Sequence, residues 1–167
     1  DRKKERGEPR SKINLVIPAA GAATRLRPLS NNTSKIMVRV NGKPCLDYIL
    51  EQAYKLADVQ ATIIVRGQFD DIEDYCSIKH KEVSFVRQYD LKGPHDAIQL
   101  ALKHLSVSTK FDPCLPAVIW LGDAIILDDS LELGTDFLLT KHVDDHSNWC
   151  MWDQYNRFYN KPNQHID

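Results

Sequence analysis

Two rhythms of apolar and polar positions run along this chain. Ile13-Asn14-Leu15-Val16-Ile17 is a short, nearly unbroken run of branched side chains, the pattern of a strand in the middle of a parallel sheet covered on both faces. Ala61 to Val65, Val83 to Val86 and Ala117 to Leu121 repeat it. Between these runs the period lengthens to that of a helix. After Pro44 come Leu46, Ile49, Leu50, Ala53 and Leu56 or Ala57, and within Asp96 to Leu105 come Ile98, Ala101, Leu102 and Leu105. A shorter helix is expected over Phe69 to Tyr75, started near Gln68 or Asp70. Ile36 to Val40 alternates weakly, and Asn41-Gly42 marks a turn. The alternation of strand and helix predicts a doubly wound α/β fold with a mainly parallel sheet, in which ligands sit beyond the carboxyl ends of strands. Asp1 to Lys12 is charged and aperiodic, so it reads as a flexible arm or linker, leaving residues 13–167 as one domain.

Composition narrows the classes. With 167 residues and 43% hydrophobic positions, the chain has material for one real core. A net charge of -1 gives no electrostatic argument for nucleic acid or an anionic membrane. No stretch is long and apolar enough to span a bilayer, and no secretory leader pattern is seen, so a cytoplasmic setting is the default expectation. Cys45, Cys76, Cys114 and Cys150 are widely spaced without a Cys-x-x-Cys pair, which reads as ordinary buried or half-buried thiols. The chain does not open on Met and stops shortly after Lys161-Pro162, so a fragment of something longer is expected.

The first strand leads into the most informative stretch. Ala19, Ala20, Gly21, Ala22 and Ala23 carry almost no side chain, so a ligand can approach the main chain and backbone N–H groups can point at phosphate oxygens. Thr24 closes this small run, and two cations come after it, Arg25 and Lys35. Pro18 sits where the strand should end, and Pro28 limits how the chain leaves the loop. Alone, Arg25 reads as a surface salt bridge and Lys35 as a solvated lysine; together at this spacing they do not. A carboxylate, Asp123, falls at the tip of the fourth strand in Gly122-Asp123, where it can reach a phosphate or a metal. A turn aspartate that caps the next segment is the plain alternative.

The string Gly21-Ala22-Ala23-Thr24-Arg25-Leu26-Arg27-Pro28-Leu29-Ser30, with Lys35 and then Gly42-Lys43-Pro44, resembles the signature of the sugar-1-phosphate nucleotidyltransferases, closest in spacing to the glucose-1-phosphate thymidylyltransferases. Ala23 replaces the second glycine of that signature, and Ser34 the proline before the lysine, where a serine is also seen in the thymidylyltransferase branch. A methyl group at Ala23 is tolerable if that residue avoids a positive φ or very close contact with phosphate. The resemblance implies a Rossmann-like three-layer α/β/α nucleotidyltransferase fold, incomplete here at the C-terminus. It implies Mg²⁺ as cofactor, and as substrates a nucleoside triphosphate (UTP, dTTP or CTP) and a sugar-1-phosphate.

The same resemblance assigns roles. Asp123 corresponds to the family's metal-binding aspartate, and a hard cation such as Mg²⁺ needs only one or two protein carboxylates beside substrate phosphates. Gln88, with Gly93 five residues on, corresponds to the base-reading segment, where an amide offers donor and acceptor to one base face. The backbone from Ala19 to Thr24 would cradle the nucleotide. Arg25 would hold the leaving pyrophosphate with its fork of donors, and Lys35 would neutralise charge near the α-phosphate. No Ser, Cys or His nucleophile is needed, because an ionised phosphate oxygen is already nucleophilic and positioning carries the catalysis. His95, the His142/His146 pair and Asp128-Asp129 read as surface or capping residues. Asn160-Lys161-Pro162 stands where the family has Glu-Lys-Pro, and a second metal-binding aspartate is expected from sequence beyond Asp167. Two alternatives stay open: a non-catalytic nucleotide-binding module on this fold, and a cytidylyltransferase acting on a non-sugar phosphate such as phosphocholine.

Overall fold

The computed structural model describes residues 10–127 together with 131, 133, 151, 152, 158 and 159. In chain order the strands are β1 (Lys12–Ala19), β2 (Arg39–Val40), β3 (Lys43–Pro44), β4 (Asp58–Arg66), β5 (Ser84–Arg87), β6 (Ala117–Ile119), β7 (Met151–Trp152) and β8 (Phe158–Tyr159). The helices are α1 (Cys45–Leu56), α2 (Asp71–Lys79) and α3 (Pro94–Val107). The chain divides into two compact units, Asp1–Leu133 and Gly134–Asp167; in the second, β7 and β8 form an antiparallel pair.

In the first unit, β5, β4, β1 and β6 lie side by side in that order, and each neighbouring pair is parallel. β1 is central because Ile13 to Ile17 is buried throughout, Asn14 included. Successive side chains point to opposite faces of a strand, so β1 and β4 feed two cores. Leu15, Ile17 and Ile64 meet α1 and α2 through Leu46, Ile49, Leu50, Ala53, Ile72 and Cys76. Val16, Ile63 and Val65 meet α3 through Ala97, Ala101 and Leu105. This is the expected three-layer α/β/α arrangement. The expected face of α1 is the buried one, and its three largest members, Leu46, Ile49 and Leu50, are fully covered, a gross stabilisation of roughly 5–9 kcal/mol before conformational entropy is counted.

Several expectations shift. α3 faces the sheet with Ala97 rather than Ile98, which is half-buried; two alanines in the contact row bring the helix close to the strands. α2 starts at Asp71 and runs on to Lys79, because Ile72 and Cys76, four apart, share one buried face. β1 continues through Pro18 to Ala19. Pairing with β6 covers only Asn14 to Val16, and Pro18 faces that side, so its missing N–H forfeits no ladder bond. Lys12, assigned above to the arm, is the first residue of β1, and Arg10 donates to the Tyr54 carbonyl at 2.9 Å. β6 is less covered than its sequence suggests: Ala117 and Ile119 are exposed, since among the described residues this strand has one neighbour, β1.

The order β5-β4-β1-β6 has a consequence for the site. From β1 the chain proceeds outward one way through β4 and β5, then returns to the other side of β1 as β6. The carboxyl ends of β1 and β6 therefore flank the switch point, where open α/β sheets bind ligands. No helix among the described residues is long and apolar enough to cross a membrane.

Candidate functional site

β1 delivers the small-residue turn to the switch point. Ala19 and Ala20 are not free of the protein: Ala19 packs against one core and Ala20, 7% exposed, lies in the other. Gly21, Ala22 and Thr24 are exposed. A Cβ built on Gly21 meets nothing within 4 Å, whereas one on Gly67 would sit 2.6 Å from the Ala20 carbonyl oxygen. Gly67 is thus demanded by packing, and Gly21 leaves open space over the main chain.

Ala23 departs from the expectation set for it. Its φ of 49° and ψ of 34° are left-handed, a region that disfavours any Cβ by about 1–2 kcal/mol. The turn holds it there by a pincer on its carbonyl, which accepts from Leu26 N–H at 2.9 Å and from Ser30 Oγ at 2.8 Å. Ser30 is 2% exposed, so this hydroxyl bond is shielded from water. Ala23→Gly is expected to stabilise the protein by about 0.5–1 kcal/mol, the relief of strain less the added freedom of the unfolded chain. A thermal melt would then rise by roughly 1–4 °C; an unchanged or lower Tm would contradict the strain.

Beyond the turn, Thr24–Leu26 forms one 3-10 turn and Lys35–Met37 a second, and the Arg27–Pro28 peptide between them is cis. Arg25 is exposed and has no ion pair among the described residues. The second turn is anchored by Ile36, 1% exposed, and closed by Met37 N–H to the Ser34 carbonyl at 2.9 Å. The chain then runs into the β2–β3 hairpin, where Asn41 and Gly42 both take positive φ, 50° and 77°, as a two-residue type I′ turn requires.

The carboxyl end of β6 meets this segment. Trp120 is buried and its Nε1–H donates to the Ala124 carbonyl at 2.7 Å, while Ala124 N–H returns to the Leu121 carbonyl at 3.0 Å. The turn that carries Asp123 is therefore held at both ends. Gly122 lets it approach β1: a Cβ there would lie 3.2 Å from the Pro18 carbonyl oxygen and 3.5 Å from Ile36 Cδ1. This contact brings together residues 88 positions apart, and the Lys35 ammonium donates to Asp123 Oδ2 in an ion pair. Both side chains keep water contact, at 35% and 51% exposure, so the pair contributes only about 0–1 kcal/mol. Cys45 lies within the field of both charges; burial, the largest influence, pushes its thiol up.

No cluster of three or more His, Cys, Asp or Glu stands ready for a metal among the described residues. Asp123, half-exposed at a strand end, fits a hard cation that takes one carboxylate and completes its shell with water and phosphate oxygens.

Gln88 and Gly93 stand two strands out from β1, beyond β4, at the end of β5. Gly93 has φ 95° and ψ −179°, a conformation reserved for glycine, and it starts α3. Gln88 is 4% exposed; its Nε2 donates to Asp96 Oδ2 at 2.8 Å and lies 3.4 Å from the Gly93 carbonyl oxygen. Both partners can only accept, so the amide nitrogen must face them. The donor end expected to read a base is thus already held by Asp96. His95 is exposed, as expected. Asp128, Asp129, His142, His146, Cys150 and Asn160-Lys161-Pro162 lie outside the described residues.

Three polar residues near the strand ends were not singled out from sequence. Asp96 is one. Arg66, 8% exposed at the end of β4, pairs with Asp70 at 2.6 Å and Glu73 at 2.5 Å. Asp71 accepts at Oδ2 from Thr33 Oγ1 and, at 2.9 Å, from Ser34 N–H. The only signal for Asp71 was the acidic start of α2, which an ordinary helix also explains.

Comparison with known proteins agrees with this fold. Residues 15–131 match the model of the MobA-like NTP transferase domain. The bifunctional protein GlmU of Methanocaldococcus jannaschii is 32% identical over 131 residues, which cover 78% of this chain and 29% of that protein. The choline-phosphate cytidylyltransferase of Streptococcus pneumoniae is 40% identical over 68 residues, covering 41% of this chain and 29% of that one. Among solved structures, the CTP:phosphocholine cytidylyltransferase of Streptococcus pneumoniae superposes with a TM-score of 0.58 at 26% identity, over 72% of this chain and 49% of its own. A UDP-glucose pyrophosphorylase in complex with UDP-glucose gives 0.54 at 25%, over 66% and 45%. This chain spans about a third or less of the length of these curated relatives. The resemblance to sugar-1-phosphate nucleotidyltransferases carried by Gly21 to Lys35 is borne out, and the chain belongs to the family of MobA-like NTP transferase domains.

Proposed function

We propose that this chain transfers a nucleotidyl group: a phosphate oxygen of a sugar-1-phosphate attacks the α-phosphorus of a nucleoside triphosphate in line, a new P–O bond forms, and the bond to pyrophosphate breaks. The observation that carries the reading is the meeting of Lys35 and Asp123 at the carboxyl ends of adjacent parallel strands, next to a turn with open space over Gly21. On this reading the main chain of Ala19, Ala20, Gly21, Ala22 and Thr24 lies along the phosphates. Arg25, exposed and without an ion pair among the described residues, holds the pyrophosphate. Lys35 neutralises charge at the α-phosphate, and preorganised charge of this kind lowers the barrier because it need not reorganise as the reaction proceeds. Asp123 would hold Mg²⁺, which would supply charge neutralisation between the two anionic substrates. Gln88 meets the base through Oε1, its remaining polar atom.

A second acceptor is favoured by the likeness, in sequence and in structure, to the choline-phosphate cytidylyltransferase of Streptococcus pneumoniae. On this alternative the triphosphate is CTP and the nucleophile a phosphate monoester without a sugar. The test is pyrophosphate release by the full-length protein with Mg²⁺, across UTP, dTTP and CTP, each paired with glucose-1-phosphate, N-acetylglucosamine-1-phosphate or phosphocholine. Release with a sugar phosphate supports the first reading, and release confined to CTP with phosphocholine supports the second. Tight triphosphate binding with no release from any pair would replace both with a binding module.

A further inference from the structure

Lys35 can act at a phosphate only if the chain presents it at a fixed place, and the residues that fix it are visible on either side. On the carboxyl side, Ile36 is locked in the core. On the amino side nothing apolar does the same work. Ser34 is buried, yet its side chain makes no capping hydrogen bond to the turn it precedes. Its backbone is held instead from α2, where Asp71 Oδ2 accepts from Ser34 N–H at 2.9 Å and from the Thr33 hydroxyl.

Ser34 has φ −64° and ψ 142°. That φ is the value a proline ring enforces, and a proline is what the general form of the resembled signature carries before its lysine, where its thymidylyltransferase branch also shows serine. A serine has no ring and would sample other conformations. It does have an N–H, and that N–H is the group Asp71 binds. The other Asp71 oxygen, Oδ1, is buried without a hydrogen-bond partner among the described residues. A carboxylate oxygen kept dry and unpaired is unfavourable, and the bonds through Oδ2 offset it in this position.

We propose that Asp71 is the positioning residue for Lys35: by binding the Thr33 hydroxyl and the Ser34 N–H from the first turn of α2, it does with a carboxylate what a proline ring would do at position 34, and so holds Lys35 where it meets Asp123. The inference rests on the proposed role of Lys35 for its catalytic meaning, but not for its structural content.

A swap of devices tests it. A proline at 34 removes the N–H and places ring atoms where Asp71 Oδ2 sits, so Ser34→Pro alone should be poorly tolerated. In Asp71→Ala the space is open and the ring restores the backbone. Two measurements on the full-length protein separate the claims. The first is the ¹⁵N order parameter of the Lys35 amide, which needs no ligand: it should fall from about 0.85 in the parent to below about 0.6 in Asp71→Ala, and recover in Asp71→Ala/Ser34→Pro. The second is affinity for nucleoside triphosphates in the UTP, dTTP and CTP panel. It should weaken about tenfold in Asp71→Ala, return to within about threefold in the double variant, and show no further loss when Asp71→Ala is added to Lys35→Met. Asp71→Asn, which keeps an acceptor oxygen and the side-chain volume, serves if Asp71→Ala fails to fold; it should retain an intermediate order parameter. An unchanged order parameter in the Asp71 variants, absence of rescue by proline, or additivity with Lys35→Met would overturn the inference. If the order parameter behaves as expected but the parent binds no triphosphate, the positioning stands and the proposed function is what fails.

Discussion

Lys35→Met is expected to lower turnover by roughly 10²–10³-fold, the range for removing one preorganised group from a developing charge. The loss should be larger in kcat than in triphosphate affinity, which weakens about tenfold beside it, because a charge placed at the α-phosphate meets the bound substrate and matters most in the transition state. Stability should change little. The pair with Asp123 is half-exposed, so its removal is worth about 0–1 kcal/mol, a drop in Tm of no more than roughly 4 °C. Lys35→Arg keeps the charge but replaces a compact ammonium with a planar fork and should recover only part of the activity. Steady-state kinetics and a thermal melt on the same samples check this. A kcat within about threefold of the parent in Lys35→Met would remove Lys35 from the chemistry.

Asp47→Ala is expected to produce the largest stability loss, roughly 3–5 kcal/mol. Asp47 is 1% exposed in the first turn of α1, and its carboxylate accepts from Tyr75 Oη at 2.8 Å, His80 Nε2 at 2.9 Å and Lys79 Nζ at 2.5 Å. It ties the start of α1 to the end of α2, and without it the donors of Tyr75 and His80 lose their acceptor. Burial alone would push this carboxyl up, but the hydrogen bonds from Lys79, His80 and Tyr75 together outweigh it and hold the group below its ordinary value. The sign comes from linkage: with a folded pKa lower than the unfolded value of about 3.9, the contribution is complete above the unfolded pKa and disappears as pH falls through the folded one. Urea midpoints measured from pH 7 down to pH 3 should therefore fall more steeply below about pH 4 in the parent than in Asp47→Ala. Parallel curves would assign the acid sensitivity to other groups.

The layers of the fold were legible because periodicity reports burial directly. The row Leu46, Ile49, Leu50 and Ala53 faces the core as its spacing predicts, and so does the run Ile13 to Ile17. Where periodicity is ambiguous the reading slipped by one residue, as with Ile98 for Ala97, since a small residue in a close contact scores lower than a large one beside it. Of the site, the meeting of Lys35 with Asp123 was foreseeable from the signature. The hydrogen-bond partners were not. Asp71 reaches Ser34 across 37 positions and Asp96 reaches Gln88 across eight, and no local pattern marks which carboxylate will find which amide once the chain is folded. The condition set for Ala23, that it avoid a positive φ, is not met for a related reason: its φ is held by Leu26 and the buried Ser30 bonding to its carbonyl, not by its own preference.

The contact between Lys35 and Asp123 also makes the two halves of the site interdependent. Facing each other, they present no net charge, so an anion or a cation that comes alone must first separate them. Whichever comes first leaves the opposite partner uncompensated and open to the second, and by reciprocity each raises the other's affinity by the same factor. On the proposed function, a half-exposed pair of this strength sets that cooperativity at no more than about fivefold, enough to favour joint arrival of triphosphate and cation, and too little to trap either one.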